Sequence, residues 1–147
     1  MIRIGVYGGS ECSDDVYKKA EKVGQLLAEK GAVVYCGGLS GVMEAVSKGV
    51  TNGDGTMIGI LPGNDCDKAN VYVTIPVATG TGKGRNVVIV NSIQGAIAID
   101  GEYGTLSEIA HTLNQNKPVV GIKTWDIRGV QSVETPEEAV TKIIELI

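Results

Sequence analysis

Apolar positions in this chain fall into short continuous runs that alternate with stretches of helical spacing. Residues 2–7 form the first run, closed by Gly8-Gly9-Ser10, and read as a strand ending in a turn. From Asp14 or Asp15 onward, Val16, Ala20, Val23, Leu26 and Leu27 recur at helical intervals, and Gly31 stands where a C-terminal cap belongs. Residues 32–35 repeat the strand pattern and run into Cys36-Gly37-Gly38. A second helix opens at Val42 and is expected to stop near Gly49 or Gly53, before a third strand over residues 56–61 and a turn at Pro62-Gly63-Asn64. Residues 71–75 read as a short fourth strand stopped by Pro76. Residues 78–84 are too glycine-rich for a regular element.

The segment 85–93 predicts a helix in spite of its β-branched residues, because its place in the alternation outweighs weak propensity. Val87, Val88, Ile89, Val90 and Ile93 cover more than one stripe of it, which predicts burial around much of its circumference, with a partner subunit as one candidate cover. Residues 96–99 are small or apolar throughout, as a strand covered on both faces must be. Asp100-Gly101-Glu102 then ends the strand abruptly. Thr105, followed three residues later by Glu108 and then by Ile109, Ala110 and Leu113, has the pattern of a capped helix reaching about Asn116. Strands over 119–122 and 130–133 and a last helix opened by Pro136 complete the series.

Strand–helix alternation of this kind calls for an α/β fold: a three-layer, Rossmann-like arrangement with a mostly parallel sheet covered by helices on both faces. No linker divides the chain, so residues 1–147 are expected to form a single domain. In such a fold the loops at the carboxyl ends of the strands gather at one rim. The four glycine-rich corners, at Gly8-Gly9-Ser10, Gly37-Gly38, Gly80 to Arg85 and Gly101 to Thr105, are therefore expected in one region.

Composition narrows the possibilities. The 147 residues include 21 Gly, no Phe and one Trp, so the core rests on Val, Ile and Ala, which suits strands better than a helical bundle. A net charge of -4 and no basic block disfavour a nucleic-acid partner, which needs a positive surface. One pocket can still be positive inside an acidic protein. Cys12, Cys36 and Cys66 lack metal-like spacing and only His111 adds an imidazole, so no metal site is expected and the thiols read as separate and reduced. Met1-Ile2-Arg3 leads straight into a strand-like run, so no signal peptide is expected, and no run has the length of a membrane span. A cytoplasmic protein is expected.

The candidate chemistry lies in the corners. Gly8, Gly9 and Ser10 can let backbone amides approach a phosphate or sugar, or simply turn the chain. They do not complete a dinucleotide fingerprint, and Tyr35-Cys36 stands where an acidic ribose ligand would be. Gly37, Gly38 and Gly41 precede a helix N-terminus that would favour an anion, or merely close a connection. Gly101, Gly104 and Thr105 offer a second such N-terminus. Lys83 and Arg85 supply the local positive charge, and Arg85 has the planar fork that binds phosphate or carboxylate bidentately. Glu108 either closes a capping box with Thr105 or orients a ribose hydroxyl or an attacking water. Asp100 directly follows a strand and can face the pocket, while Glu102 can equally face the pocket or point at solvent. His111 shares the helix with Glu108, but no nucleophile accompanies the pair and no triad can be assembled.

Gly37-Gly38-Leu39-Ser40-Gly41-Val42-Met43, Gly84-Arg85-Asn86 and Gly101-Glu102-Tyr103-Gly104-Thr105-Leu106-Ser107-Glu108 together resemble the superfamily of the cytokinin-activating "lonely guy" phosphoribohydrolases. That superfamily includes their lysine decarboxylase-like relatives, the molybdenum-cofactor carrier proteins and the Rossmann domain of DNA-processing protein A. The resemblance implies a modified Rossmann fold, a homodimer or a multiple of it, and a nucleotide-like ligand above the strand ends. It assigns Arg85 and Glu108 to a catalytic pair and Gly104-Thr105 to phosphate binding, the bond broken being that between a base and ribose 5'-monophosphate. Two departures stand out. The hydrolases carry Met-His-x-Arg-Lys where this chain has Lys83-Gly84-Arg85-Asn86, and Pro-Gly-Gly before Gly-Thr where it has Asp100-Gly101-Glu102-Tyr103. Both bring the chain nearer the carrier branch, in which a ligand is held rather than cleaved.

The expectation is thus a binder of a phosphorylated, nucleotide-like small molecule, with hydrolysis of a nucleoside 5'-monophosphate as its enzymatic form. The rivals are a non-catalytic carrier or sensor of a molybdopterin-type cofactor or nucleotide, and a homo-oligomeric structural protein with a degenerate pocket. No particular cofactor is specified by the residues.

Overall fold

The computed structural model describes residues 1–147. Along the chain run β1 (Arg3–Gly8), α1 (Asp14–Glu29), β2 (Val33–Cys36), α2 (Val42–Asn52), β3 (Thr56–Leu61), β4 (Ile75–Ala78), α3 (Arg85–Ser92), β5 (Gly95–Ile99), α4 (Tyr103–Asn114), β6 (Val119–Ile122), β7 (Val130–Val133) and α5 (Pro136–Leu146), with short 3-10 turns at Cys66–Lys68 and Gly82–Gly84. The strands make one sheet in the order β4-β3-β2-β1-β5-β6-β7. Every pairing in it is parallel. The three-layer α/β architecture expected from the alternation is the one observed.

Because the sheet is covered on both faces, its central strands are apolar throughout: all five residues of β5 and all four of β6 are buried. One face packs Ile4, Val6, Val34 and Ile97 against Leu27 of α1, Val46 of α2 and Ile143 of α5. The other packs Tyr7, Ala96 and Ala98 against Ile89 and Val90 of α3 and Ile109 of α4. None of the five helices is long and apolar enough to cross a membrane.

Two local readings of the sequence are corrected. The fourth strand covers Ile75–Ala78 and contains Pro76, opposite Gly59, rather than ending before it. β4 is the sheet edge and pairs only with β3, so a residue without an N–H is tolerated there. Val71 and Tyr72 form a turn instead, with Asn70 accepting from the Tyr72 amide at 3.1 Å. The helix expected from Thr105 begins two residues earlier, at Tyr103, and no side chain caps it. Thr105 and Glu108 are both buried inside the helix, so they form no capping box. In the single chain α3 turns Ile89 and Val90 to the sheet and leaves Val87 and Val88 39% and 36% exposed, on the side for which a partner subunit is the candidate cover.

Candidate functional site

The strand order departs in opposite directions from β1 and β5, which lie side by side. Loops leaving the carboxyl ends of two such strands diverge to opposite faces and leave a crevice between them. Gly8-Gly9-Ser10 leaves β1, and the corner from Asp100 leaves β5. The first loop is pinned to the start of α2, where the Val42 amide donates to the Gly9 carbonyl at 3.0 Å and the Ser40 hydroxyl to the Ser10 carbonyl at 2.8 Å. Above these loops lies a cavity of about 800 Å³ lined by 17 residues.

The first turn of α4 forms one wall. The amides of its first residues, Tyr103, Gly104 and Thr105, have no intrahelical acceptor, and the cap residue Glu102 offers no side-chain bond to them. They present partial positive charge to the cavity. Gly104 lines the cavity, and a Cβ built on it meets nothing within 4 Å, so the approach to these amides is open.

Arg85, the first residue of α3, lines the same cavity. Its Nη1 donates to the carbonyls of Gly37 and Ile60, both at 2.6 Å, and its Nε donates to Asn86 Oδ1 at 2.7 Å. These bonds tie the end of β2 to β3 and leave Nη2 as the guanidinium nitrogen without a protein acceptor. Close approach demands a glycine at position 37, since a Cβ there would lie 2.6 Å from Met43 Sδ and 2.7 Å from Arg85 Nη1. Burial lowers the pKa of Arg85, and the charges of Glu108 and Cys36 oppose that shift. A guanidinium nonetheless stays protonated under physiological conditions.

Glu108, one turn below the free amides, is 8% exposed and lines the same cavity. It forms no ion pair with Arg85, and its carboxyl has no protein hydrogen-bond partner. Its backbone carbonyl accepts from Thr112 Oγ1 at 2.7 Å, and that hydroxyl also meets Tyr7 Oη at 2.7 Å. Burial pushes the Glu108 carboxyl up to about 8, with the Arg85 charge partly offsetting the shift. Burial thus favours the neutral form of Glu108 beside the Arg85 guanidinium, which weights the inner cavity toward positive charge inside an acidic chain. Glu11 and Glu102 line the mouth and are exposed, where water screens them from an anion bound within.

Of the residues singled out from sequence, Gly8, Gly9, Ser10, Lys83, Arg85, Gly104, Thr105 and Glu108 line this one cavity. Gly37, Gly38, Gly41 and Gly101 do not reach its wall. They form the turns beneath it, where Gly37 holds Arg85 and Gly41 is the cap residue of α2. Asp100, which the sequence allows to face the pocket, is off the wall, at a corner where it adopts a φ of 52°, while Glu102 is on the wall and exposed. Asn86, Tyr103 and Ser107 were missed as lining residues. Tyr103 and Ser107 stand one turn apart on α4, like Gly104 and Glu108, so helical spacing counted from the corner was the available signal. His111 is exposed, and no group of three or more His, Cys, Asp or Glu is placed to hold a metal ion.

Residues 1–145 match the SLOG cluster4 family. An uncharacterized protein of Archaeoglobus fulgidus is 45% identical over 145 residues, which make up 98% of this chain and 95% of that protein. A probable cytokinin riboside 5'-monophosphate phosphoribohydrolase of Oryza sativa subsp. japonica is 32% identical over 97 residues, 64% of this chain but 39% of the rice protein. Among solved structures, the molybdenum cofactor binding protein from the phototrophic bacterium Rippkaea orientalis superposes with a TM-score of 0.92 at 34% identity, covering 98% of this chain and 96% of that one.

Proposed function

The chain belongs to the SLOG cluster4 family, and on that premise we propose that it binds a phosphorylated, nucleotide-like small molecule and holds it without cleaving it. The observation that carries this reading is the convergence of three uncapped amides of α4, the Arg85 guanidinium and the buried Glu108 carboxyl on one cavity. In this reading the phosphate sits on the amides of Gly104 and Thr105, a helix N-terminus contributing roughly 0.3–1 kcal/mol beyond the hydrogen bonds themselves. Nη2 of Arg85 supplies a charged donor, and Gly8, Gly9 and Ser10 flank the sugar or ring. Glu108 in its acid form donates to a ligand acceptor, so it adds no second anion beside the phosphate. Likeness over nearly the full length to a molybdenum cofactor binding protein, against a partial match to a phosphoribohydrolase, favours retention over turnover.

One feature favours hydrolysis as a second reading. A carboxylic acid still protonated near neutral pH is suited to giving its proton to a departing base, while water attacks the anomeric carbon. Calorimetric titration with nucleoside 5'-monophosphates, followed by chromatography for free base, separates the readings. Saturable binding at one site per chain with no base above a buffer blank is the expected result. Base release that disappears in Glu108→Gln would establish the hydrolase instead, and absence of all binding would leave a degenerate pocket. We also propose that a second copy of the chain covers Val87 and Val88, the apolar residues that α3 leaves exposed.

A further inference from the structure

We propose that the ring of Tyr103 is a stacking platform for a fused heteroaromatic ring, purine or pterin, carried by the bound ligand. The proposal rests on the phosphate-binding reading above and adds the chemistry of the group attached to that phosphate. Tyr103 is the first residue of α4 and is 77% exposed, so nothing in the core accounts for a large aromatic at this position. It is also the one aromatic side chain among the 17 residues on the cavity wall. The ring it meets is Trp125, with centroids 5.8 Å apart and planes tilted by 33°. Trp125 is itself held in place, its Nε1 donating to the Glu102 carbonyl at 3.1 Å.

The residue just before the free amides is thus tied to the loop that follows β6, and the Tyr103 ring is braced on the same helical turn as those amides. A phosphate seated on the amides brings whatever ring it carries to this edge of the cavity. Aromatic faces accept planar heterocycles without regard to their exact hydrogen-bonding edges, which suits a braced but water-exposed tyrosine.

Titrating the protein with ribose 5-phosphate, guanosine 5'-monophosphate and a pterin monophosphate tests this. Both heteroaromatic probes should bind at least about tenfold more tightly than ribose 5-phosphate, and Tyr103→Ala should remove that advantage, a loss of about 10- to 100-fold, with ribose 5-phosphate unaffected. Tyr103→Phe should keep it. Emission from Trp125, the single tryptophan of the chain, should change with the heteroaromatic probes and not with ribose 5-phosphate. The tighter of the two heterocycles identifies the ring. Equal affinity for all three probes, or a Tyr103→Ala variant that weakens all three alike, would overturn the stacking role while leaving the phosphate site intact. Failure of all three to bind would remove both.

Discussion

Nη1 of Arg85 donates to the carbonyl of Gly37, 48 residues earlier in the chain, at 2.6 Å, and shares that nitrogen with the carbonyl of Ile60. One guanidinium thereby closes the carboxyl ends of β2 and β3 at the floor of the cavity. Lysine cannot reproduce this, because its single ammonium has no fork with which to reach both carbonyls and Asn86 together. Arg85→Lys should cost about 1–3 kcal/mol in urea unfolding, the penalty for leaving a sequestered carbonyl unpaired. It should also weaken phosphorylated ligands. Unchanged unfolding would show that the strand ends close without this bridge.

Gly37 and Gly104 should respond in opposite ways to the same methyl group. At Gly37 the methyl would crowd Met43 Sδ and the anchored Arg85 guanidinium, so Gly37→Ala should destabilise the protein by about 1–3 kcal/mol through overpacking. At Gly104 it meets open space, and alanine is the better helix former by up to about 1 kcal/mol. Gly104→Ala should therefore melt no lower than the parent. If the amides of this turn hold phosphate, it should also lose affinity for guanosine 5'-monophosphate by about tenfold or more, the equivalent of one charge-assisted hydrogen bond.

Glu108 makes stability depend on pH with a defined sign. Its pKa is raised from an ordinary 4.5 to about 8 in the folded protein, chiefly by burial, so the unfolded chain releases this proton first as pH rises. The contribution of the neutral carboxyl is fully present below about pH 4.5, declines between there and about pH 8, and is gone above it, with a slope of at most about 1.4 kcal/mol per pH unit. Melting curves across that window should fall more steeply for the parent than for Glu108→Gln, which should be the more stable of the two at pH 8. Parallel curves would mean that Glu108 is ionised in the folded protein.

Val87 and Val88 supply the test of self-association. If a second copy covers them, Val88→Glu should shift the mass measured by light scattering from a dimer or larger assembly toward the monomer, with circular dichroism unchanged. A parent that is monomeric at high concentration would dispose of that interface.

Much of the fold was legible because its signals are local and mutually consistent. The buried run ending at Ile99, the helical spacing from Val16 to Leu27 and the glycine after each early strand all agree on a parallel α/β sheet, and the motifs spanning Gly37 to Glu108 pointed to the superfamily to which the family match and the relatives also point. Errors arose where a local pattern met a stronger tertiary demand. Thr105 and Glu108 have capping-box spacing, but both side chains are buried, and the helix starts at Tyr103 to put them there. Pro76 reads as a strand breaker because the sequence does not reveal that its strand is an edge. The partners of Arg85 and the pairing of Tyr103 with Trp125 depend on loops far apart in the chain, so no spacing rule announces them.

The central claim is that the uncapped turn of α4 receives the phosphate of a nucleotide-like ligand. Nuclear magnetic resonance of the ¹⁵N-labelled protein, titrated with guanosine 5'-monophosphate, tests it residue by residue. The account predicts saturable shifts largest at the amides of Gly104 and Thr105, with smaller ones at Gly9 and Ser10. Shifts that saturate elsewhere while these four amides stay fixed would contradict it.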